Sequence, residues 1–348
     1  MAPAKINLSL RVLGRRSDGF HEIETFIAPI SLCDEIKIER RSGKQEIAFR
    51  CDDPSVPKGE DNIVVRAANA FFEETKITSG VSIALKKTIP HGAGLGGGSS
   101  DAASTLLALN ELFETNLPRE ALAKMAEMIG SDVPFFIFQS AAVCKGRGEL
   151  VSPTRLPEQL SVLLLKPDFG VPTQWAYSRW RDSHEIPGVS YSGQQFPQQN
   201  FVNDLERPVF EKFVFLAQLK MWLLKQPEVG AALMSGSGST VFAVLRSNAD
   251  ADLLAKRSKA ELDPELWTCA CAPRSMRTGA TLFAESLAEL CARVFAVELR
   301  DETGADLGRT HCFALVGVGA ITKSLPIHFS HHFQHASLAF GSALRQRR

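Results

Sequence analysis

The run Pro90-His91-Gly92-Ala93-Gly94-Leu95-Gly96-Gly97-Gly98-Ser99-Ser100 places five glycines within seven residues and ends on two hydroxyls. Glycine opens backbone angles closed to other residues and lets main-chain N–H groups come close to a ligand. Val81, Ile83 and Leu85 alternate as a strand before the run. After it, residues 101–113 have helical spacing, with Ala103, Leu106, Leu107 and Phe113 inward. A glycine loop between strand and helix gathers N–H groups and the positive end of the helix dipole at one point, which suits phosphate oxygens. Ser99 and Ser100 add hydroxyls for phosphate or for Mg²⁺. No Gly-Lys-Ser/Thr closes the loop, so it is not a Walker A motif. Gly92, Gly94 and Gly97 offer the dinucleotide spacing, but no convincing acidic ribose partner follows about 20 residues on. A phosphate site is expected, and the loop alone leaves its cofactor open.

Three further segments carry chemistry. Ser235-Gly236-Ser237-Gly238-Ser239-Thr240 precedes a strand at residues 240–245. It reads either as a second close backbone approach or as an ordinary tight turn. In Gly130-Ser131-Asp132-Val133-Pro134-Phe135-Phe136, Asp132 follows a helix-stopping glycine. It is either an N-cap or a carboxylate that takes a proton from a substrate hydroxyl. At the start of the chain Ile6, Leu8, Leu10 and Val12 alternate with Lys5, Asn7, Ser9 and Arg11. This pattern predicts a half-buried strand with Lys5 and Asn7 projecting to one side, where both could meet one ligand.

The elements that must position these residues form a mixed series. After the first strand comes a turn-rich loop at residues 14–19, then strands at 20–25, 34–39 and 46–49. Helical spacing covers residues 62–74, 120–129 and 210–224, and an apolar strand covers 160–165. Residues 190–199, rich in Ser, Gly, Pro and Gln, read as a surface loop. This order indicates an α+β or α/β protein with antiparallel strands near its start.

The 348 residues carry 39 Lys+Arg and 39 Asp+Glu, a formal net charge of zero. That balance gives no electrostatic case for nucleic acid or an anionic membrane as partner. Seven cysteines without paired short spacings do not resemble a secreted disulfide framework. No secretory leader and no run of about 18 apolar residues is seen, so a cytoplasmic protein, monomer or homodimer, is expected. The composition changes after Arg274. From His311 on there is no Asp or Glu, and His328, His331, His332 and His335 have the spacing of one helix side. Metal binding there is the sharper expectation and an unstructured extension the plainer one. Residues 281–295 also have amphipathic spacing.

Pro3-Ala4-Lys5-Ile6-Asn7-Leu8, the loop at 90–100 and the turn at 235–240 resemble, in order, the three motifs of the GHMP kinase superfamily. Asp18-Gly19-Phe20-His21-Glu22-Ile23, Gly146-Arg147-Gly148-Glu149, Pro172-Thr173-Gln174-Trp175-Ala176-Tyr177 and Asn203-Asp204-Leu205-Glu206 are similar to one branch of it, whose acceptor is 4-diphosphocytidyl-2-C-methyl-D-erythritol. The resemblance runs from about residue 2 to about residue 272. It implies two α+β lobes with the site in the cleft between them. The N-terminal lobe, residues 1–152, would be like domain 2 of ribosomal protein S5, and the C-terminal lobe, residues 153–274, ferredoxin-like. Residues 275–348 would be an appendage. The resemblance also implies transfer of the γ-phosphate of ATP, with Mg²⁺, to the acceptor's 2-hydroxyl. Asp132 would be the base and Lys5 would hold its charge. Asn7, Phe20, His21, Thr173 and Tyr177, with the Gly236-Ser237-Gly238 turn, would surround the acceptor. Phe20 stands where the family often has tyrosine, and core packing is its other reading. A different GHMP kinase, acting on homoserine, mevalonate or a sugar, and a non-catalytic nucleotide-binding protein are the alternatives.

Overall fold

In the computed structural model, which describes residues 1–41, 46–156 and 160–273, the first strand sets the architecture. Ala2–Arg15 (β1) runs antiparallel to His21–Arg41 (β2). The alternation predicted one covered face, but Lys5 and Asn7 are as buried as Ile6 and Leu8. The reason is tertiary. The apolar side packs into a core with Ala28, Ile30, Leu164 and Phe242, while the Lys5 side lies beneath the glycine loop and the Gly236 turn.

β2 is one strand of 21 residues where the sequence suggested two. Its first half pairs with Ala142–Gly146 (β5 below) and its second with Gly80–Lys86 (β4 below), so one long strand serves two neighbours. The following elements are Ile47–Cys51 (β3), Ile63–Thr75 (α1), Gly80–Lys86 (β4), Gly97–Leu112 (α2), Arg119–Ile129 (α3), Val133–Phe138 (α4), Ala142–Gly146 (β5) and Leu150–Pro153 (β6). Asn62 caps α1, accepting from the N–H groups of Val64 and Val65. The apolar faces of α1, α2 and α3 close over β4 around Phe71, Phe72, Leu106 and Phe135.

The rest comprises Ser161–Lys166 (β7), Thr173–Arg179 (α5), Gln194–Gln195 (β8), Asn200–Asn203 (β9), Glu206–Lys212 (α6), Val214–Leu224 (α7), Val229–Met234 (β10), Val241–Leu245 (β11), Ala251–Glu261 (α8) and Trp267–Cys271 (β12). The sheet β10-β11-β7-β12 is antiparallel throughout. Taking β7, β10, β11 and β12 as first to fourth, this is the ferredoxin-like arrangement of β-α-β-β-α-β units.

Two sequence expectations change. The helical spacing at 210–224 is broken at Phe213, whose φ of −107° and ψ of 66° lie outside the helix. Its ring stacks on Phe169 at 5.4 Å and meets Trp175 edge-on, so tertiary packing overrides the local period. The surface loop at 190–199 contains β8, and Gln194 bonds with its side-chain amide to both the N–H and the carbonyl of Ala232. Through β8 and β9 this stretch joins the sheet order β3-β4-β2-β1-β9-β8. No helix among the described residues is long and apolar enough to cross a membrane. The His328–His335 cluster, the amphipathic stretch at 281–295 and the appendage at 275–348 lie outside the described residues, apart from which the fold is α+β as expected.

Candidate active site

A cavity of about 1390 Å³ opens over β1 and the start of α2. Its floor is made by three segments far apart in sequence. The Lys5 N–H donates to the Leu95 carbonyl at 2.9 Å, tying β1 to the glycine loop. The Thr240 N–H donates to the Ala93 carbonyl at 3.1 Å, and the Ser235 hydroxyl to the Gly94 carbonyl at 3.0 Å. The loop is therefore pinned on both sides. Gly94, at φ +73°, is where the turn presses hardest. A Cβ there would stand 2.8 Å from the Gly238 carbonyl oxygen, and nearer still to that of Ser235.

Lys5 and Asn7 share a strand face as predicted, and the ammonium donates to Asn7 Oδ1 at 2.7 Å. Asn7 Nδ2 donates to the Thr25 hydroxyl at 2.8 Å, which donates to the Ser9 carbonyl at 2.6 Å. This chain orients the amide so that its oxygen faces the lysine. Asp132 occupies the N-cap position of α4 yet makes no side-chain cap bond. Its Oδ2 lies 3.7 Å from Lys5 Nζ, with the carboxylate 43% exposed to the cavity. A carboxylate that gives up a cap to stand beside a buried ammonium is arranged for something other than helix stability.

The structure brings nearly all of the sequence-predicted site into this one cavity. Pro90 to Ser99, Asn7, Phe20, His21, Thr173, Tyr177, Gly236 and Ser237 line it. Ser100 and Gly238 do not. α2 begins at Gly97, and successive residues on a helix point about 100° apart, so Ser99 faces the cavity and Ser100 the core. The Ser100 hydroxyl is buried without a partner. Gly238 packs behind the turn against Met234 and Val171.

On the far wall the His21 ring lies 5.4 Å from Tyr177 and edge-on to Trp180 at 6.1 Å. Burial, then Arg15 and Arg181, lower the His21 pKa, which favours the neutral ring. Burial also raises the Tyr177 hydroxyl, so it stays protonated. Phe20 is 48% exposed, with the Arg147 guanidinium 4.8 Å above its ring, so the core reading of Phe20 is set aside. Thr173 and Ser237 share a hydroxyl–hydroxyl bond of 2.8 Å across the cavity floor.

Set against known proteins, residues 62–140 match the family profile of the GHMP kinases N terminal domain, and residues 196–262 that of the GHMP kinases C terminal. A protein of Methylacidiphilum infernorum named 4-diphosphocytidyl-2-C-methyl-D-erythritol kinase is 41% identical over 270 residues, covering 76% of this chain and 93% of its own. Its counterpart of the same name in Citrifermentans bemidjiense is 40% identical, covering 72% and 90%. The chain belongs to the GHMP kinases. Within them it falls in the 4-diphosphocytidyl-2-C-methyl-D-erythritol kinase family. A crystal structure of 4-(cytidine 5'-diphospho)-2C-methyl-D-erythritol kinase superposes with a TM-score of 0.64 at 34% identity, over 79% of this chain and 98% of that one. A homoserine kinase from Cytophaga hutchinsonii shares the fold, with a TM-score of 0.57 at 18% identity over 80% and 96%.

Several residues of this GHMP kinase site were not singled out from sequence. An apolar arm of the cavity is lined by Val56, Pro57, Ile63, Leu85 and Ile89. These come from two loops, α1 and β4, and nothing in their spacing links them. At the base of the loop Lys87 is held by Asp101 at 2.8 Å and by Asp34. Asp34 also accepts from the N–H groups of Thr88 and Ile89. Burial pushes the Asp101 carboxyl up to about 7 against the pull of Lys87. The adjacent Lys86-Lys87 before the loop and the aspartate after Ser99-Ser100 were the available signals. Trp180 on the far wall is another residue not singled out.

Proposed function

We propose that this kinase transfers the γ-phosphate of ATP to the 2-hydroxyl of 4-diphosphocytidyl-2-C-methyl-D-erythritol, the acceptor named for its relatives. The observation that carries the reading is the Lys5–Asp132 pair, 3.7 Å apart, facing a pinned glycine loop within one cavity. Phosphoryl transfer asks little covalent chemistry of the protein, which acts by aligning donor and acceptor and by stabilising charge. The loop N–H groups and the start of α2 would receive the phosphates, and the arm at Val56, Pro57 and Leu85 the base of the nucleotide. Asp132 would take the acceptor's hydroxyl proton. Lys5, locked by Asn7, would balance negative charge on the transferring group. Phe20, His21 and Tyr177 offer ring faces and an edge to a pyrimidine.

Mg²⁺ usually keeps water and phosphate ligands and takes only one or two protein groups. The Ser99 hydroxyl on the first turn of α2, within the cavity, fits that demand, and Ser99 would hold the ion with the nucleotide. The ion would supply neutralisation of phosphate charge.

The test is ATP turnover with Mg²⁺ on this acceptor, mevalonate, homoserine and galactose, for the wild type and Asp132→Asn. Turnover with the cytidylyl acceptor alone is expected, and kcat should fall about 10²–10⁴-fold in the variant. Turnover with a different acceptor would replace the substrate. An undiminished Asp132→Asn would remove the base.

A further inference from the structure

The run Asn203-Asp204-Leu205-Glu206 has no place in the chemistry above, yet it grips the site from behind. Asn203 pairs with Leu10 of β1, in parallel register, on the strand that carries Lys5 and Asn7. Asp204 accepts from the Val12 N–H and from Arg11, both at 2.9 Å, which fixes the run to β1. Facing the other way, Asn203 Nδ2 donates to two carbonyls, Met234 at 2.7 Å and Gly236 at 2.8 Å. Asn203 Oδ1 accepts from the Leu205 N–H, so the amide cannot turn over without losing three bonds. Glu206 completes the grip by accepting from the Met234 N–H at 2.9 Å.

Gly236 is the thin point between this clamp and the reacting groups. At φ +57°, a Cβ on it would stand 3.2 Å from Lys5 Nζ and 3.3 Å from Asn7 Oδ1. One face of the turn thus touches the lysine and its orienting amide, and the other hangs on Asn203. We propose that Asn203 is a positioning residue for phosphoryl transfer, its amide fixing the height of the Gly236 turn against Lys5 and Asn7. The proposal rests on the kinase reading for its effect on rate, but the clamp itself does not depend on the substrate. Asn203 is 3% exposed, which leaves no room for water to replace its two donated bonds.

In Asn203→Asp the side chain keeps its size but brings acceptors to two carbonyl oxygens, so the turn must move away. Asn203→Ser, whose single short donor cannot serve both carbonyls, is the second variant should the first fail to fold. Two measurements decide. Amide hydrogen exchange of the full chain should rise about tenfold or more at residues 234–240 in the variants, with α1 and β4 unchanged. With ATP and the cytidylyl acceptor, kcat should fall about 10–100-fold while the KM for ATP moves less than about threefold. A general loss of stability would raise exchange everywhere and leave the kcat of the folded fraction unchanged, and that result overturns the proposal. Unchanged exchange at 234–240 overturns it too, whatever the substrate. A wild type idle with every acceptor would refute the kinase reading, and the exchange result would then decide the clamp alone.

Discussion

Replacing Gly94 by alanine perturbs the contact between the glycine loop and the Gly236 turn at its closest point. Two costs can be worked out. The residue stands at φ +73°, where a side chain costs about 1–2 kcal/mol of backbone strain. The new Cβ meets backbone, 2.8 Å from the Gly238 oxygen and 3.1 Å from its nitrogen, where ordinary contact begins at 3.4 Å. Loop and turn must part by more than half an ångström, which breaks or stretches the Thr240–Ala93 and Ser235–Gly94 bonds. Each contributes about 1 kcal/mol, so the total is about 3–4 kcal/mol. A protein of this size should then melt roughly 10 °C lower. The same displacement moves the glycine loop relative to Lys5 and, on the proposed role of that loop, should cost about 10²-fold in kcat/KM for ATP. Gly92→Ala isolates the strain, because its φ is +62° but its nearest neighbour, Gly170, is 3.7 Å away. It should lose only about 1–2 kcal/mol. Thermal unfolding with steady-state kinetics at varied ATP reads both variants. Gly94→Ala matching Gly92→Ala in melting temperature and in kcat/KM would show that the packing of loop on turn does not matter.

The buried pair Lys220–Glu206, 2.6 Å apart and each 1% exposed, makes a second test. Lys220→Met leaves the buried Glu206 without its counter-charge and should cost about 3–5 kcal/mol in denaturant unfolding, most of it recovered by adding Glu206→Gln. A loss below about 1 kcal/mol would refute the pairing. Asp101 sets a pH dependence. Burial raises its carboxyl from 3.8 to about 7, so the native state holds the proton to higher pH than the unfolded chain does. Its effect on stability is therefore a penalty that grows as pH rises from about 4 to about 7 and is constant above that. Lys87, raised above 10.5 by Asp101 and Asp34 despite its own burial, titrates outside this window. Asp101→Asn should gain on wild type by about 1 kcal/mol or more between pH 5 and pH 8, and a constant difference would sink the assignment.

The sequence made the glycine loop between strand and helix and the shared face of Lys5 and Asn7 legible, because both are local consequences of glycine content and of strand period. Asp132 was ambiguous for a sound reason, since its position is a true N-cap and only the tertiary arrangement shows the carboxylate turned to Lys5. Period alone could not show that β1 is covered on both faces, that the helix pattern breaks at Phe213, or that β8 and β9 cross into the first sheet. Each depends on a partner more than 30 residues away. The apolar lining at Val56, Ile63 and Leu85 was invisible because only the packing of a loop, a helix and a strand brings the three together. That Ser99 lines the cavity while the Ser100 side chain is buried depends on where α2 begins, which a glycine-rich helix start does not encode.

The strand that bears Lys5 also dictates when the site can come into being during synthesis. β1 leaves the ribosome before the other described strands, but its parallel partner is β9, and the loop beneath which Lys5 lies is pinned by Thr240. At about 5–20 residues per second, roughly 10–50 s separate the emergence of Lys5 from that of Thr240. Through that interval β1 can pair with β2, whose turn is short, while its other edge and the lysine face wait uncovered. The nascent chain thus carries a strand with an apolar face and one open edge through the roughly 190 residues between β1 and β9. A chaperone that binds extended segments with alternating apolar side chains would find a target in the residues around Lys5.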